Sequence, residues 1–298
     1  MGQFSAAQLL ELFVGGLAIG CVYSLVALGF AMIMRATSII HFAQGEVMML
    51  GCMCGLTSLW VVPGLPLPLV LMVGMLSSGA LAVAMELAVY RTLRRRRVPL
   101  MNVITATVGM SILSINAARI IWGSEPLRFP DLFASNVYQF AGLRISPQLF
   151  WIMIMGLVIM AGLQAFLNYT RTGIAMQAVA QDPEAAQLVG ANLTRIMAYT
   201  FAIAGMMAGA AGVMLGSLFF AFFEMGFITG LKGFVAATLG GLGSIGGAML
   251  GGILFGLIET FSAVYISSAY KDGIGMVLLI AILLVLPSGL VGLWQKRS

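Results

Sequence analysis

Positions 12–34 read LFVGGLAIGCVYSLVALGFAMIM, a run of 23 residues without a charged side chain. As an α-helix it would be about 34 Å long at 1.5 Å per residue, enough to cross a hydrocarbon core of about 30 Å. A helix on the surface of a soluble domain keeps a polar stripe; this one has none. Working outward, further apolar segments fall at 46–62, 67–90, 100–122, 149–167, 196–222, 230–243, 246–267 and 273–294. Hydrophobic residues make up 61% of the 298-residue chain and charged residues 8%, against about 25% charged in ordinary soluble domains. So few charges could not cover a water-facing surface, and the mean hydropathy is +1.05. The expectation is an all-α polytopic membrane protein, one transmembrane domain over 1–298, with about eight to nine transmembrane helices including short or broken segments.

Two segments are weak. The stretch 39–62 begins with IIHFAQGE, too polar for an ordinary start, and 230–243 is short and meets the next segment through GGLGSIGG. Both places admit half-helices or re-entrant segments, which are tolerated at membrane depth where protein or a water-filled path surrounds them. The opening MGQFSAAQLLELF lacks Lys and Arg, so no signal peptide is expected there. Alternate threading places ten basic residues inside, dominated by RTLRRRR at 91–97, and five outside: Arg119, Arg128, Arg144, Lys232 and Lys271. By the positive-inside rule the N-terminus then faces outward, 168–195 lies in the cytoplasm, 123–148 forms an external loop and the C-terminus ends inside. Prolines at 126, 130 and 147 argue against a long helix in that external loop.

Several function classes fall away. The net charge of +5 arises at the ends of apolar segments and builds no basic face for nucleic acid. One histidine and three cysteines without ligand spacing give no zinc site, and no cofactor is expected. The 22 methionines read as flexible apolar filler. No G-x-x-x-x-G-K-[ST] loop binds nucleotide, and no acid pair or nucleophile–base pair supports an intramembrane enzyme.

The longest polar stretch is NYTRTGIAMQAVAQDPEAAQLVGANLTRI, 168–196, which can form two short helices. Asp182 suits an N-cap and Pro183 the first helical position. Glu184 falls in the first turn, where the helix dipole favours an acid, and Gly190 can end the helix in the left-handed conformation. On residues alone this is either a force-transmitting element or a tidy connector.

Glu184-Ala185-Ala186 followed by Gly190 resembles the EAA…G loop of ABC-importer permeases. GGLAIGCVYSLVALGFAMIMRATSIIHFAQGEVMMLG (15–51), GIAMQAVAQDPEAAQLVGANLTRI and KGFVAATLGGLGSIGGAMLGGILFGLIE narrow the likeness to branched-chain amino-acid permeases of the H type. His41 stands where many members have Asn, and Ser244-Ile245-Gly246-Gly247 replaces a common Ser-Ile-Pro-Gly. The resemblance implies a permease domain in a bacterial cytoplasmic (inner) membrane, with Asp182, Pro183, Glu184, Ala185, Ala186 and Gly190 coupling it to ATPases. The implied partners are two cytoplasmic ATP-binding subunits, a homologous second permease, an external substrate-binding protein and membrane lipid. The implied cargo is leucine, isoleucine, valine or a related small amino acid; urea and short amides are the alternative within the family.

Polar residues inside apolar segments are costly and point to function by default. Glu259, the deepest acid, can hold the amino group of a zwitterionic substrate or bond to a neighbouring helix. His41, Gln44 and Glu46 cluster at the start of a weak segment as gate, path wall or helix cap, with capping the reading for Glu46. Glu86, one turn before Arg91, reads as interfacial. Arg119 and Glu224 are candidates for meeting the external partner, or for snorkelling. Glycines at four-residue spacing, such as Gly16/Gly20, Gly205/Gly209 and Gly252/Gly256, let helices touch. The stretch 240–256, including Gly241 and Gly243, reads as a segment broken by glycine that presents backbone dipoles to a path. A secondary transporter working alone would share these breaks but has no use for the EAA loop.

Overall fold

A computed structural model describes residues 6–130, 138–140, 143–285 and 289–290. The chain is helical, and six of its described helices are long and apolar enough to cross a membrane. Helix α1 (Ala6–Thr37) runs first, then α2 (Gln44–Val61) and α3 (Leu67–Met85). A π-helical turn (Glu86–Tyr90) joins α3 to α4 (Arg91–Arg95) as one continuous rod. Next come α5 (Leu100–Trp122) and a small antiparallel hairpin, β1 (Tyr138–Phe140) with β2 (Leu143–Ile145), Gln139 opposite Arg144. Helix α6 (Pro147–Tyr169) leads to the two short helices α7 (Arg171–Gln181) and α8 (Pro183–Leu188). The chain returns through α9 (Leu193–Leu218), α10 (Met225–Gly240), α11 (Ile245–Tyr265) and α12 (Lys271–Val285).

Local chemistry sets the helix starts. Prolines stand in the first turn of α3, α6 and α8, where the missing N–H costs nothing. Thr170, Asn192 and Ser244 cap α7, α9 and α11, each side-chain oxygen accepting a backbone N–H at 3.0–3.1 Å.

Packing explains why the first span has no polar face. Its most apolar window is 83% buried inside the protein, against 22% for α5 and α6, so α1 is the central post and α5 and α6 form the rim. A helix that is apolar all round belongs in such a centre. It crosses α11 where Gly20 and Gly256 allow the backbones to touch; a Cβ on Gly20 would fall 2.8 Å from Ile253 Cα. Ser24 Oγ bonds across the same contact to Met249 O at 2.7 Å. The four-residue glycine ridges therefore serve close packing in this structure.

The two weak segments are both real helices, and both begin beside each other within the bundle. Gly45 in the first turn of α2 lies against Gly226 and Gly230 of α10; a Cβ on Gly226 would fall 2.7 Å from Gly45 O. The sequence expectation ran one span through 196–222, whereas α9 ends at Leu218 and α10 starts at Met225. Between them Ala221 pairs with Leu127 through two backbone bonds of 2.8 Å, tying the break to the long loop after α5. The break in the glycine-rich stretch falls only at 241–244; from Ile245 onward the helix is continuous. The expected inside position of the C-terminus, with Lys296 and Arg297, lies outside the described residues, as do parts of the loop 123–148.

Candidate functional site

Three places carry the candidate residues. The first is the polar loop. Asp182 Oδ1 accepts from Glu184 N at 2.9 Å and Ala185 N at 3.0 Å, with Pro183 as the first helical residue. At the other end Gly190 adopts φ 92°, and its N–H reaches Gln187 O while Ala191 N–H reaches Ala186 O, both at 3.0 Å. These paired bonds make a Schellman closure. Helix α8 is thus locked at both ends by its own sequence. Ala186 is buried against the protein, whereas Leu188 and Val189 are 89% and 85% exposed. Among the described residues none covers this apolar pair.

The second place is the start of α2. His41, Gln44 and Glu46 are at most 1% exposed. Gln44 Nε2 donates to Ala204 O at 3.0 Å. His41 Nδ1 lies 3.3 Å from Tyr90 Oη, and its ring also meets Phe201. Capping by Glu46 is not what the structure shows: Ala43 is the N-cap residue and no side chain closes this terminus. Both Glu46 oxygens lack a hydrogen bond of ordinary geometry, as do His41 Nε2 and Gln44 Oε1. The acid sits instead in the first turn, where the helix dipole favours it. Glu86 is fully buried within the protein, where Arg94 reaches back to it at 2.5 Å.

The third place centres on Glu259. Sequence reasoning missed Lys232, which it counted among the external loop cations. Lys232 stands two turns into α10, 6% exposed. Its Nζ lies 2.5 Å from Glu259 Oε1, 2.7 Å from Asp272 Oδ1 and 3.4 Å from Tyr23 Oη. Desolvating a cation is tolerable when two carboxylates surround it. The group borders a cavity of about 350 Å³ with mostly apolar walls between α1, α9, α10, α11 and α12. The cavity lies near the end of α9 and the start of α12, at the opposite end of α9 from α8. The missed signal was the acid at Asp272 together with Glu259, since a cation at the edge of a short segment needs a partner only if the segment extends past it.

Gly241 and Gly243 lie away from that cavity. Both have positive φ, 108° and 87°, and form the tight turn from α10 to α11, with Gly243 beside Arg35 at the end of α1. Arg119 stacks over the Phe223 ring at 5.7 Å, close to Glu224 in sequence.

A bundle of long apolar helices, with the starts of two shorter ones meeting inside it, buried charges beside a cavity and a doubly capped polar loop, fits the membrane component of a transporter. The match to a family model is correspondingly broad: the model of the branched-chain amino acid transport system permease component covers residues 12–283, and the chain belongs to that family. It is similar to the high-affinity branched-chain amino acid transport system permease protein LivH of Salmonella typhimurium, 35% identical over 93% of both chains. It is likewise similar to the protein BraD of Pseudomonas aeruginosa, named for the same system, 35% identical over 95% of both. A probable branched-chain amino acid transport permease protein LivH of Methanocaldococcus jannaschii is 28% identical over 91% of this chain. No solved structure matches. The chain is therefore an ABC-transporter permease subunit, a transport component and not an enzyme.

Proposed function

We propose that the chain forms one half of the translocation path of an ATP-driven importer for branched-chain amino acids in a bacterial cytoplasmic membrane. The observation that carries this reading is α8, a helix closed at both ends that presents Leu188 and Val189 to solvent. Such a helix is stiff enough to pass on a push. In this reading 168–195 faces the cytoplasm and docks on an ATP-binding subunit, with a second copy of that subunit under a homologous permease. The loop 123–148 faces outward and receives an external substrate-binding protein. Asp182, Pro183 and Gly190 shape the coupling helix, and Glu184, Ala185 and Ala186 seat it.

Transport follows by population shift between two states. Closure of the ATP-bound ATPases displaces α8, and with it α7 and α9. The half-helices α2 and α10, whose starts touch through Gly45 and Gly226, reorient around His41, Gln44, Glu46 and Glu259. Gly241 and Gly243 supply the turn on which α10 pivots. The relatives are named for branched-chain amino acid transport, which supports this cargo, and the apolar cavity beside Glu259 suits an aliphatic side chain.

The test is co-purification from native membranes, wild type against Glu184→Arg, followed by uptake of labelled leucine, valine and urea in proteoliposomes containing the full complex. The expected result is two ATP-binding subunits and a second permease with the wild type, loss of the ATPases from the variant, and ATP-dependent uptake of leucine and valine. A wild-type chain that purifies alone and moves solute by itself would overturn the reading.

A further inference from the structure

The cavity beside Glu259 holds four charged side chains, Lys232, Lys271, Glu259 and Asp272. Lys232 is committed: Glu259 Oε1 and Asp272 Oδ1 hold it at 2.5 and 2.7 Å. What remains has a definite shape. Glu259 Oε2 is buried without a hydrogen-bond partner, in a residue only 7% exposed. Asp272 is 54% exposed at the side chain, so its carboxylate reaches solvent at the cavity mouth. Lys271, beside it in the chain, makes no ion pair among the described residues. The unspent groups are therefore a buried acceptor on a residue that lines the cavity, a second carboxylate, and the cation of Lys271 on the same lining. The walls between them are aliphatic and aromatic, among them Ile19, Phe222, Ile228 and Val264.

A buried carboxylate oxygen with no donor costs free energy until a donor arrives. A metal ion would need more oxygen ligands than these two acids give. A primary ammonium fits, because it donates to several acceptors at once. With the four charges summing to zero, a ligand that is itself neutral but dipolar leaves the cavity balanced. The size also agrees, since about 350 Å³ lies at the small end of ligand pockets, roughly 300–1,000 Å³.

We infer that this cavity is an α-amino-acid subsite within the permease itself. Glu259 Oε2 and Asp272 take the ammonium, Lys271 takes the carboxylate, and the aliphatic side chain lies against Ile19, Ile228 and Val264. The inference rests on the transport reading above and deepens it: the permease senses the zwitterion directly, in addition to any selection made by a binding protein. Lys232 is a positioning residue that fixes both acids.

The test is equilibrium binding to the intact complex in nanodiscs without the external binding protein. Three ligands are compared: leucine, 3-methylbutylamine, which lacks the carboxylate, and 4-methylpentanoate, which lacks the ammonium. Glu259→Gln weakens leucine and the amine by about 10- to 100-fold, as expected for a lost charged hydrogen bond, and leaves the acid unchanged. Lys271→Met weakens leucine and the acid and spares the amine. A merely loosened fold would weaken all three together, and that result overturns the inference. So does absence of leucine binding to the wild type at millimolar concentration. Leucine uptake that persists while binding ignores Glu259→Gln sinks the subsite and leaves the importer reading standing. Amine binding that depends on Glu259, in a complex that takes up no branched-chain amino acid, sinks the cargo assignment and leaves the ammonium site.

Discussion

Lys232 shows how a single side chain can be misread from its position. In the sequence it opens a short apolar segment, and a cation there belongs to a loop. In the fold the helix starts seven residues earlier, at Met225, and Lys232 turns inward to acids from two other helices. Glu259, 27 residues away, was legible as a costly buried acid; its partner was not, because ion pairing across helices leaves no spacing rule. Removing one member of a buried pair typically costs about 3–5 kcal/mol, while replacing both with apolar groups is often near neutral. Lys232→Met should therefore destabilise the protein by about that amount, and Lys232→Met with Glu259→Met should recover most of it. Denaturant unfolding of the purified protein in one detergent checks both. Equal destabilisation by the single and double variants would show that the pair is not the source. At Glu86 the partner was hidden for a related reason, since Arg94 lies eight residues on, beyond the one-turn neighbours that sequence spacing brings to mind.

At the scale of elements, the short helices were the most legible. Cap, first-turn proline, first-turn acid and terminal glycine all act within nine residues, so α8 could be read from 182–190 alone. Asp182→Ala should cost about 1 kcal/mol of local helix stability, visible as faster amide exchange over α8. Leu188→Asp falls on a side chain that is 89% exposed. It should leave folding unchanged and sharply reduce ATPase co-purification. If the ATPases stay bound and active, the docking surface lies elsewhere. The long break between α9 and α10 was illegible for the opposite reason. FFAFFEM at 219–225 offers neither proline nor glycine until Gly226, and it is held by pairing with Leu127, a partner far off in the chain.

For the whole molecule, composition was sufficient to assign a polytopic membrane fold, and the threading of 15 cations gave a sidedness that remains a prediction. The geometry supplies the means to check it. Leu188 marks one end of the bundle and Ile266, 68% exposed, the other. In a background with Cys54→Ser, where Cys21 and Cys52 are buried, an impermeant maleimide applied to intact cells should label Ile266→Cys. Leu188→Cys should react only after permeabilisation. The reverse pattern would invert the proposed orientation.

The rod from Leu67 to Arg95 contains 29 residues, about 43 Å at 1.5 Å per residue, longer than a hydrocarbon core of about 30 Å. Its π-helical turn at Glu86–Tyr90 works as a phase shifter. One residue more than the α-helical count advances everything beyond it by about 100°. That advance swings Arg94 back over Glu86 and sets the compass bearing of the arginines that follow. The heading of this basic tip is thus written in a number of residues rather than in the identity of any side chain, and a one-residue deletion within the turn would rotate it while leaving every charge in place.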